Sequence, residues 1–373
     1  MRISPVHCSF VPPHVLYRLL RASDPGLAAL ARRTLETDAV ERVRREMSSR
    51  VGAVYPDLAA GVPGGHAQRT VYDARHRTDL PGRKVRSEGD APGRSPAADR
   101  VYACLGAVHD FLSTAFERNS LDGQGLRLNA TVHYGEGYGN AFWNGEQLVF
   151  GDGDGDVFSD FTVPVDVVGH ELAHGLIQHT AGLAYSDQPG ALNESIADVF
   201  ASLIKQYTLG QTVAEADWLI GAGLVGPRVT GVALRSLKAP GTAYDDTALG
   251  RDPQPATMDD FVRTSRDNGG VHINSGIPNH AFYLLATELG GHAWEKAGQI
   301  WYDALTGGEL RRNASFAEFA NLTVSAAEGR YGRGDEFDAT RKVWEQVGVL
   351  GSGPRTAHTL PGPPMDDDDW DDE

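Results

Sequence analysis

Cysteine is nearly absent from the chain. Cys8 and Cys104 are the only two in 373 residues, too few for a disulfide framework or a Cys-rich metal site. No run approaches eighteen consecutive apolar residues, so no membrane-spanning helix is expected. Basic residues are outnumbered, 34 Lys and Arg against 50 Asp and Glu, and the resulting charge of −16 argues against nucleic-acid partners, which ask for a basic face. The start has one early Arg but no apolar core followed by a small-residue cleavage site, so no Sec signal is recognised. That leaves a cytoplasmic location or export by a non-Sec route. No internal repeat is visible.

The charge is unevenly distributed. The first fifty residues carry nine Arg against five acids, a balance of +4, whereas the last eight carry seven acids. The stretch 51–365 therefore holds −13, so a basic head precedes an acidic body and a very acidic tail. Hydrophobic residues make up 41 % of the chain, enough for a sizeable core, and the length suggests two domains plus an appendage.

Apolar spacing predicts helices within residues 14–50, followed by a polar Gly/Pro-rich stretch over 55–98 that reads largely as exposed loop, with Thr70 to Tyr72 a candidate strand. Alternating apolar residues over 126–150 read as strands and turns. From Val163 onward helical patterns dominate, over 167–179, 192–208, 277–289, 293–305, 315–331 and 335–347. A β-rich front and a helical back predict an α+β fold with a cleft between the halves. The expected division is a head at 1–55, a β-rich domain at 56–182, a helical domain at 183–350 and a solvated tail at 351–373.

The strongest chemical signal is His170-Glu171-Leu172-Ala173-His174. Four residues are about 400° of helix, so both imidazoles lie on one face and can share a metal. Glu171 then stands beside the open coordination position as a base. The flanking valines and Leu172 make this helix apolar, and burying two His and a Glu there is costly unless they bind something. Twenty residues on, Glu194 and Asp198 share one face of a second apolar helix. Glu194 can complete a His₂Glu site, and Asp198 can accept a ligand imidazole's other N–H. The Gly151 to Asp156 run invites a calcium reading but lacks EF-hand spacing, so a turn is expected. His179 falls off the metal face.

Blocks in one order, NAFWNG, FGDGDG, DVVGHELAHG, TAGLAY, GALNESIAD, ALRS and DNGGVHINSG, give the chain from about Thr70 to Val349 a clear resemblance to the thermolysin-like neutral metalloproteases. The resemblance implies one catalytic Zn²⁺ on His170, His174 and Glu194, with Glu171 as base and proton shuttle and Asp198 behind His170. Tyr185 and His272 match the oxyanion donors, and Asp267 matches the carboxylate that orients His272. Asn140 and Ala141 resemble the edge that pairs with extended substrate, and Arg235 the residue holding the carbonyl beside the cleaved bond. Phe158, Phe161, Val167, Ile220 and Leu234 fall where the family lines its S1′ pocket, which implies cleavage before bulky apolar residues.

Where thermolysin carries a double-calcium site, Asp166 and Asp217 remain but Lys205, Leu219 and Ala222 replace the other ligands, and Val232 replaces the Asp of another calcium loop. The double-calcium site is expected to be absent, with calcium elsewhere left open. The head resembles the short pro-segment of the protealysin-like branch, through Pro12, Pro13 and Leu16. That implies a zymogen whose own pro-segment is an intramolecular inhibitor, cut between about residues 50 and 68. Cys8 is read as a buried structural cysteine in preference to a zinc block, and Cys104 as core. The expected partners are protein and peptide substrates, with no nucleic acid and no membrane. A zinc aminopeptidase and a catalytically silent binding homologue are the rival readings.

Overall fold

The computed structural model describes residues 8–51 and 65–351. Most of the expected cleavage stretch, and the acidic tail from residue 352, lie outside the described residues. The chain enters as a short strand, β1 (Cys8–Ser9), followed by α1 (Pro13–Leu20) and α2 (Pro25–Val51). Strands β2 (Arg69–Asp73) and β3 (Arg83–Ser87), helix α3 (Pro96–Phe116), and strands β4 (Leu128–Val132), β5 (Ala141–Trp143) and β6 (Leu148–Phe150) complete the front half. Helices α4 (Val165–Gln178) and α5 (Asp187–Leu209) cross its back. Two small hairpins follow, β7 (Leu219–Ile220) with β8 (Arg235–Ser236), and β9 (Asp245–Asp246) with β10 (Gly250–Arg251). Five helices end the fold: α6 (Asp267–Asn274), α7 (Gly276–Leu289), α8 (Ala297–Thr306), α9 (Phe316–Tyr331) and α10 (Asp335–Gln346).

The front half is one six-stranded sheet in the order β1-β5-β6-β4-β2-β3. Of the polar segment 55–98, the described part, 65–98, is more ordered than its polarity suggests. It supplies β2 and β3, whose register shifts between Val71 and Tyr72, and the start of α3. Helix α3 begins where Ser95 accepts a hydrogen bond from the Ala98 amide, with Pro96 in the first turn, and this is a favoured helix start. Its face of Val101, Leu105, Val108, Phe111 and Leu112 is buried with the inner sides of α4 and α5 in one core. Gly175 lets α4 lie close to the sheet, because a Cβ there would come within 2.8 Å of Leu121 and 3.3 Å of Trp143. No helix among the described residues is long and apolar enough to cross a membrane.

β1 closes the edge of the sheet, antiparallel to β5, pairing Cys8 with Trp143 and Ser9 with Phe142. α2 then lies over that edge by an unusual face. Thr34, Asp38, Glu41 and Arg45 recur at helical spacing and are buried, while Val40 and Val43 are exposed. Each polar group meets a partner on the body. Thr34 accepts from the Gly139 amide (3.0 Å), Asp38 from the Tyr138 hydroxyl (2.5 Å), and Glu41 from the Tyr134 hydroxyl (2.7 Å). Arg45 donates to the Trp143 carbonyl and to Gln178.

Two groups of this N-terminal segment titrate in opposite senses. His14 lies 3.0 Å from the Tyr244 hydroxyl, and burial lowers its pKa to about 4, with Asp267 pulling the other way. The unfolded imidazole holds its proton up to about pH 6.5, so the unfolded state binds more protons between those values. The contribution of His14 is then complete above pH 6.5 and is lost as pH falls toward 4. Burial raises Asp38 to about 6, so its contribution is instead lost as pH rises from about 4 to 6. His14→Gln is therefore expected to lose less stability than the parent on acidification from pH 6.5 to 4, as read from thermal melts of the full chain. An unchanged slope would remove His14 from the account.

Candidate metal centre

Helices α4 and α5 pack side by side, and both bring polar groups to one buried spot. His170 and His174 stand one turn apart on α4 with their Nε2 atoms 3.0 Å apart, 0 % and 3 % exposed. Glu194 of α5 lies 3.4 Å from His170 Nε2 and 3.6 Å from His174 Nε2. Each ring's other nitrogen is engaged, His170 Nδ1 with Asp198 and His174 Nδ1 with Asn193 Oδ1, both at 2.9 Å. With both Nδ1–H groups donated, two Nε2 lone pairs face each other and repel unless a proton or a cation lies between them. Burial disfavours the charged ring of His170, but Asp198 and Glu194 outweigh burial and push its pKa up to about 9. A tetrahedral zinc with ligands at about 2.0–2.1 Å sets its donor atoms about 3.4 Å apart, and these three groups match that spacing.

Glu171 points into the same space. It is fully buried, and neither carboxylate oxygen has a hydrogen-bond partner. Burial and the neighbouring Glu194 raise its pKa to about 8 against the pull of His170. Tyr185 donates to Glu194, and its hydroxyl is 3.2 Å from His272 Nε2. His272 reaches the site because Asn268, Gly269 and Gly270 take left-handed backbone angles (φ 51°, 87° and 76°) and fold the chain back. Asp267 then meets His272 Nδ1 at 2.6 Å and its backbone amide at 2.8 Å. Burial disfavours the charged ring, yet Asp267 and Glu194 push His272 up to about 9.

The cleft beside these groups is filled by residues 8–11. The Phe10 amide donates to the Ala141 carbonyl (3.0 Å), and the Val11 amide donates to Asn140 Oδ1 (2.8 Å). Arg235 Nη1 holds the Phe10 carbonyl at 3.1 Å, while its Nε and Nη2 donate to Asp198 at 2.8 and 2.9 Å. The Phe10 ring stands edge-on to His170 (centroids 5.2 Å) and beneath the Arg235 guanidinium (4.8 Å). It belongs to the same buried cluster as Phe158, Phe161, Val167, Ile220 and Leu234. Pro12 and Pro13 then start α1 and Leu16 is buried, so this motif follows directly on the residues in the cleft.

Cys8 is buried, as expected, and its side chain lies beside His174 and Glu194. Its Sγ, a His174 nitrogen and a Glu194 oxygen all lie within 4.8 Å of one another. Burial, together with the charge of Glu194, raises the thiol's pKa. Periodicity and motif matching also pass over Asn193, which orients His174, and Asn279, which donates to Asp198 at 2.9 Å. They pass over Arg45 as well, whose only sequence signal is the 34, 38, 41, 45 spacing.

Lys205 Nζ lies 2.8 and 2.9 Å from the two oxygens of Asp217, 3.4 Å from Asp166 and 3.2 Å from the Leu219 carbonyl. An ammonium thus sits among the carboxylates. In the Gly151 to Asp156 run, Asp154 Oδ1 accepts from the amides of Asp156, Val157 and Phe158, which makes a turn. His179 lies at the surface, and partial burial of its ring lowers its pKa.

Residues 64–178 match the thermolysin metallopeptidase catalytic domain, and residues 181–349 match its alpha-helical domain. An extracellular metalloprotease of Pectobacterium carotovorum subsp. carotovorum is 49 % identical over 349 residues, covering 94 % of this chain and 98 % of its own. A thermolysin of Alicyclobacillus acidocaldarius subsp. acidocaldarius is 38 % identical over 290 residues, 74 % of this chain and 50 % of its own. Among solved structures, the precursor of protealysin, a metalloproteinase of Serratia proteamaculans, superposes with a TM-score of 0.84 at 50 % identity. It covers 92 % of this chain and all of its own.

Proposed function

This chain belongs to the thermolysin metallopeptidase family and is a zinc metalloendopeptidase; from that premise we propose that it is made as a zymogen and cuts peptide bonds on the amino side of bulky apolar residues. His170, His174 and Glu194 would hold the zinc, which when bound would supply a Lewis acid for the scissile carbonyl and lower the pKa of a water. Glu171 takes the proton of that water and delivers it to the leaving amine. Tyr185 and His272 donate to the oxyanion, and Asp267 keeps the His272 ring charged and aimed. Substrate lies along Asn140 and Ala141 as an added strand. Arg235 holds the carbonyl after the scissile bond, and Asp198 fixes both Arg235 and His170.

The observation that carries the specificity is the seat of Phe10, a buried aromatic ring edge-on to His170 and packed against Gly221, which follows Ile220 in the chain. Burying such a side chain contributes about 2 kcal/mol over a small one, so replacing Phe by Ala after the scissile bond of a fluorogenic peptide is expected to lower kcat/KM roughly 30-fold. Equal rates for Phe and Asp at that position would overturn the pocket assignment. Hydrolysis must also stop with a chelator and return with zinc.

Residues 1–55 form the removable inhibitor in this reading, 56–182 and 183–350 the two catalytic halves, and 351–373 an acidic appendage. Occupation of the edge of β5 by residues 8–11 supports inhibition. Lys205 replaces calcium at the Asp166–Asp217 pair. Removing one partner of such a pair strands the other, so Lys205→Ala is expected to cost about 3 kcal/mol in denaturant unfolding. Millimolar calcium is expected to leave the parent's melting temperature unchanged. A calcium-dependent rise in the parent would mean that a calcium site exists after all.

A further inference from the structure

Residues 8–11 occupy the cleft as a substrate would. They run antiparallel to β5, Phe10 fills the pocket, and Arg235 holds the Phe10 carbonyl. His272 Nε2 lies 3.1 Å from the Ser9 carbonyl oxygen. By the roles assigned above, the bond presented for cleavage is therefore Ser9–Phe10. A peptide fixed in this way beside the catalytic groups is primed for hydrolysis. Its backbone hydrogen bonds and its side-chain pocket do nothing to protect it.

The residue that breaks the substrate pattern is Cys8. Its side chain turns back into the metal site, 1 % exposed, with Sγ among the ligand atoms of His174 and Glu194. Fully buried Glu171, with neither carboxylate oxygen hydrogen-bonded, faces the same space. Serine or alanine would pack there as well as a merely structural cysteine. A thiolate, by contrast, is among the best ligands for a zinc already held by two imidazoles and a carboxylate. With Glu194 and Glu171 as neighbours, it also requires a dication between them.

We propose that in the uncut chain Cys8 Sγ is the fourth ligand of the zinc, standing where the hydrolytic water belongs, and that this keeps the Ser9–Phe10 bond intact. The inference rests on the metal-site reading above. When the metal binds, the thiol gives its proton to solvent and the Zn–S bond replaces a Zn–water bond, with no change of oxidation state. Departure of the segment reverses the exchange and restores the water.

The test uses the full chain carrying Glu171→Gln, to prevent cutting, and Cys104→Ala, to leave Cys8 as the sole thiol. Loaded with one equivalent of cobalt(II), it is expected to show a near-ultraviolet thiolate-to-cobalt charge-transfer band. Adding Cys8→Ser is expected to abolish that band while cobalt still binds one to one, which also reports an intact fold. In the chain with Glu171 retained, Cys8→Ser is expected to lose residues 1–9, read by mass spectrometry, under conditions where the parent does not. A spectrum lacking the band, or one unchanged by Cys8→Ser, overturns the proposal even if the protease is active, and so does a Cys8→Ser chain that keeps Ser9–Phe10 whole. Failure of cobalt to bind any of these chains overturns the metal-site reading, and the Cys8 proposal with it.

Discussion

Glu171→Gln is expected to lower kcat for peptide hydrolysis by about 10³–10⁴-fold while the protein keeps one zinc per chain, a loss at the upper end of general acid–base contributions. The two effects separate because Glu171 shares its helix with both histidine ligands but touches neither through its carboxylate oxygens, which have no hydrogen-bond partner. Glutamine keeps the shape and gives up the proton transfer. It also removes a fully buried acid whose charged form burial and Glu194 both disfavour, so the metal-free variant is expected to melt at a higher temperature than the parent. Zinc content by atomic absorption, steady-state kinetics on the processed enzyme and a melting curve check the three statements. If the variant turns over normally, another group moves the proton and the assignment of Glu171 fails.

Asp198→Ala is expected to be the most damaging change outside the three proposed zinc ligands. Asp198 is fully buried and accepts hydrogen bonds from His170, from Arg235 twice and from Asn279. Burial raises its pKa, but Arg235 most of all, and His170 with it, outweigh burial and hold it at about 2. Deleting the carboxylate leaves the 1 % exposed Arg235 guanidinium without its counter-charge, at a cost of about 3–5 kcal/mol. It also frees the His170 ring, for which a loss of zinc affinity of about 10–100-fold is expected. Urea unfolding and a competitive zinc titration measure the two losses independently. Arg235→Ala offers the contrast, because it keeps the support of His170 and is expected to spare zinc affinity while raising KM. Equal zinc affinities in Asp198→Ala and the parent would show that the ring is held by packing alone.

Chemistry carried on one element was legible in the sequence. His170, Glu171 and His174 sit within five residues of a helix, and Glu194 and Asp198 within five of another. Helical geometry then fixes which side chains share a face. Tyr185, His272 and Arg235 come from loops and a short strand, and only the likeness to a known family pointed to them. The N-terminal segment was harder to read. Apolar periodicity marks a helix that buries its apolar face, whereas α2 buries Thr34, Asp38, Glu41 and Arg45 and exposes Val40 and Val43. Strand β2 was expected at Thr70 to Tyr72, but β3 was hidden for a related reason. β3 lies at the sheet's far edge with exposed residues, and a solvated edge strand carries little hydrophobic signal. The orientation of Cys8 depends on the register of β1 against β5, which a two-residue strand does not reveal in sequence.

The buried polar stripe of α2 has a consequence for what remains once such a helix is cut away. An inhibitor anchored by leucines would leave an apolar scar that invites aggregation. Under Asp38, Glu41 and Thr34 the body instead presents the hydroxyls of Tyr138 and Tyr134 and the Gly139 amide, all of which water can satisfy. Along Thr34, Asp38, Glu41 and Arg45 the departing face is equally hydrophilic, and apolar contact is left to Leu27 and Leu30 nearer the helix start. Polar surfaces of this kind hold together while they are one chain, and after scission this part of the contact has little reason to return.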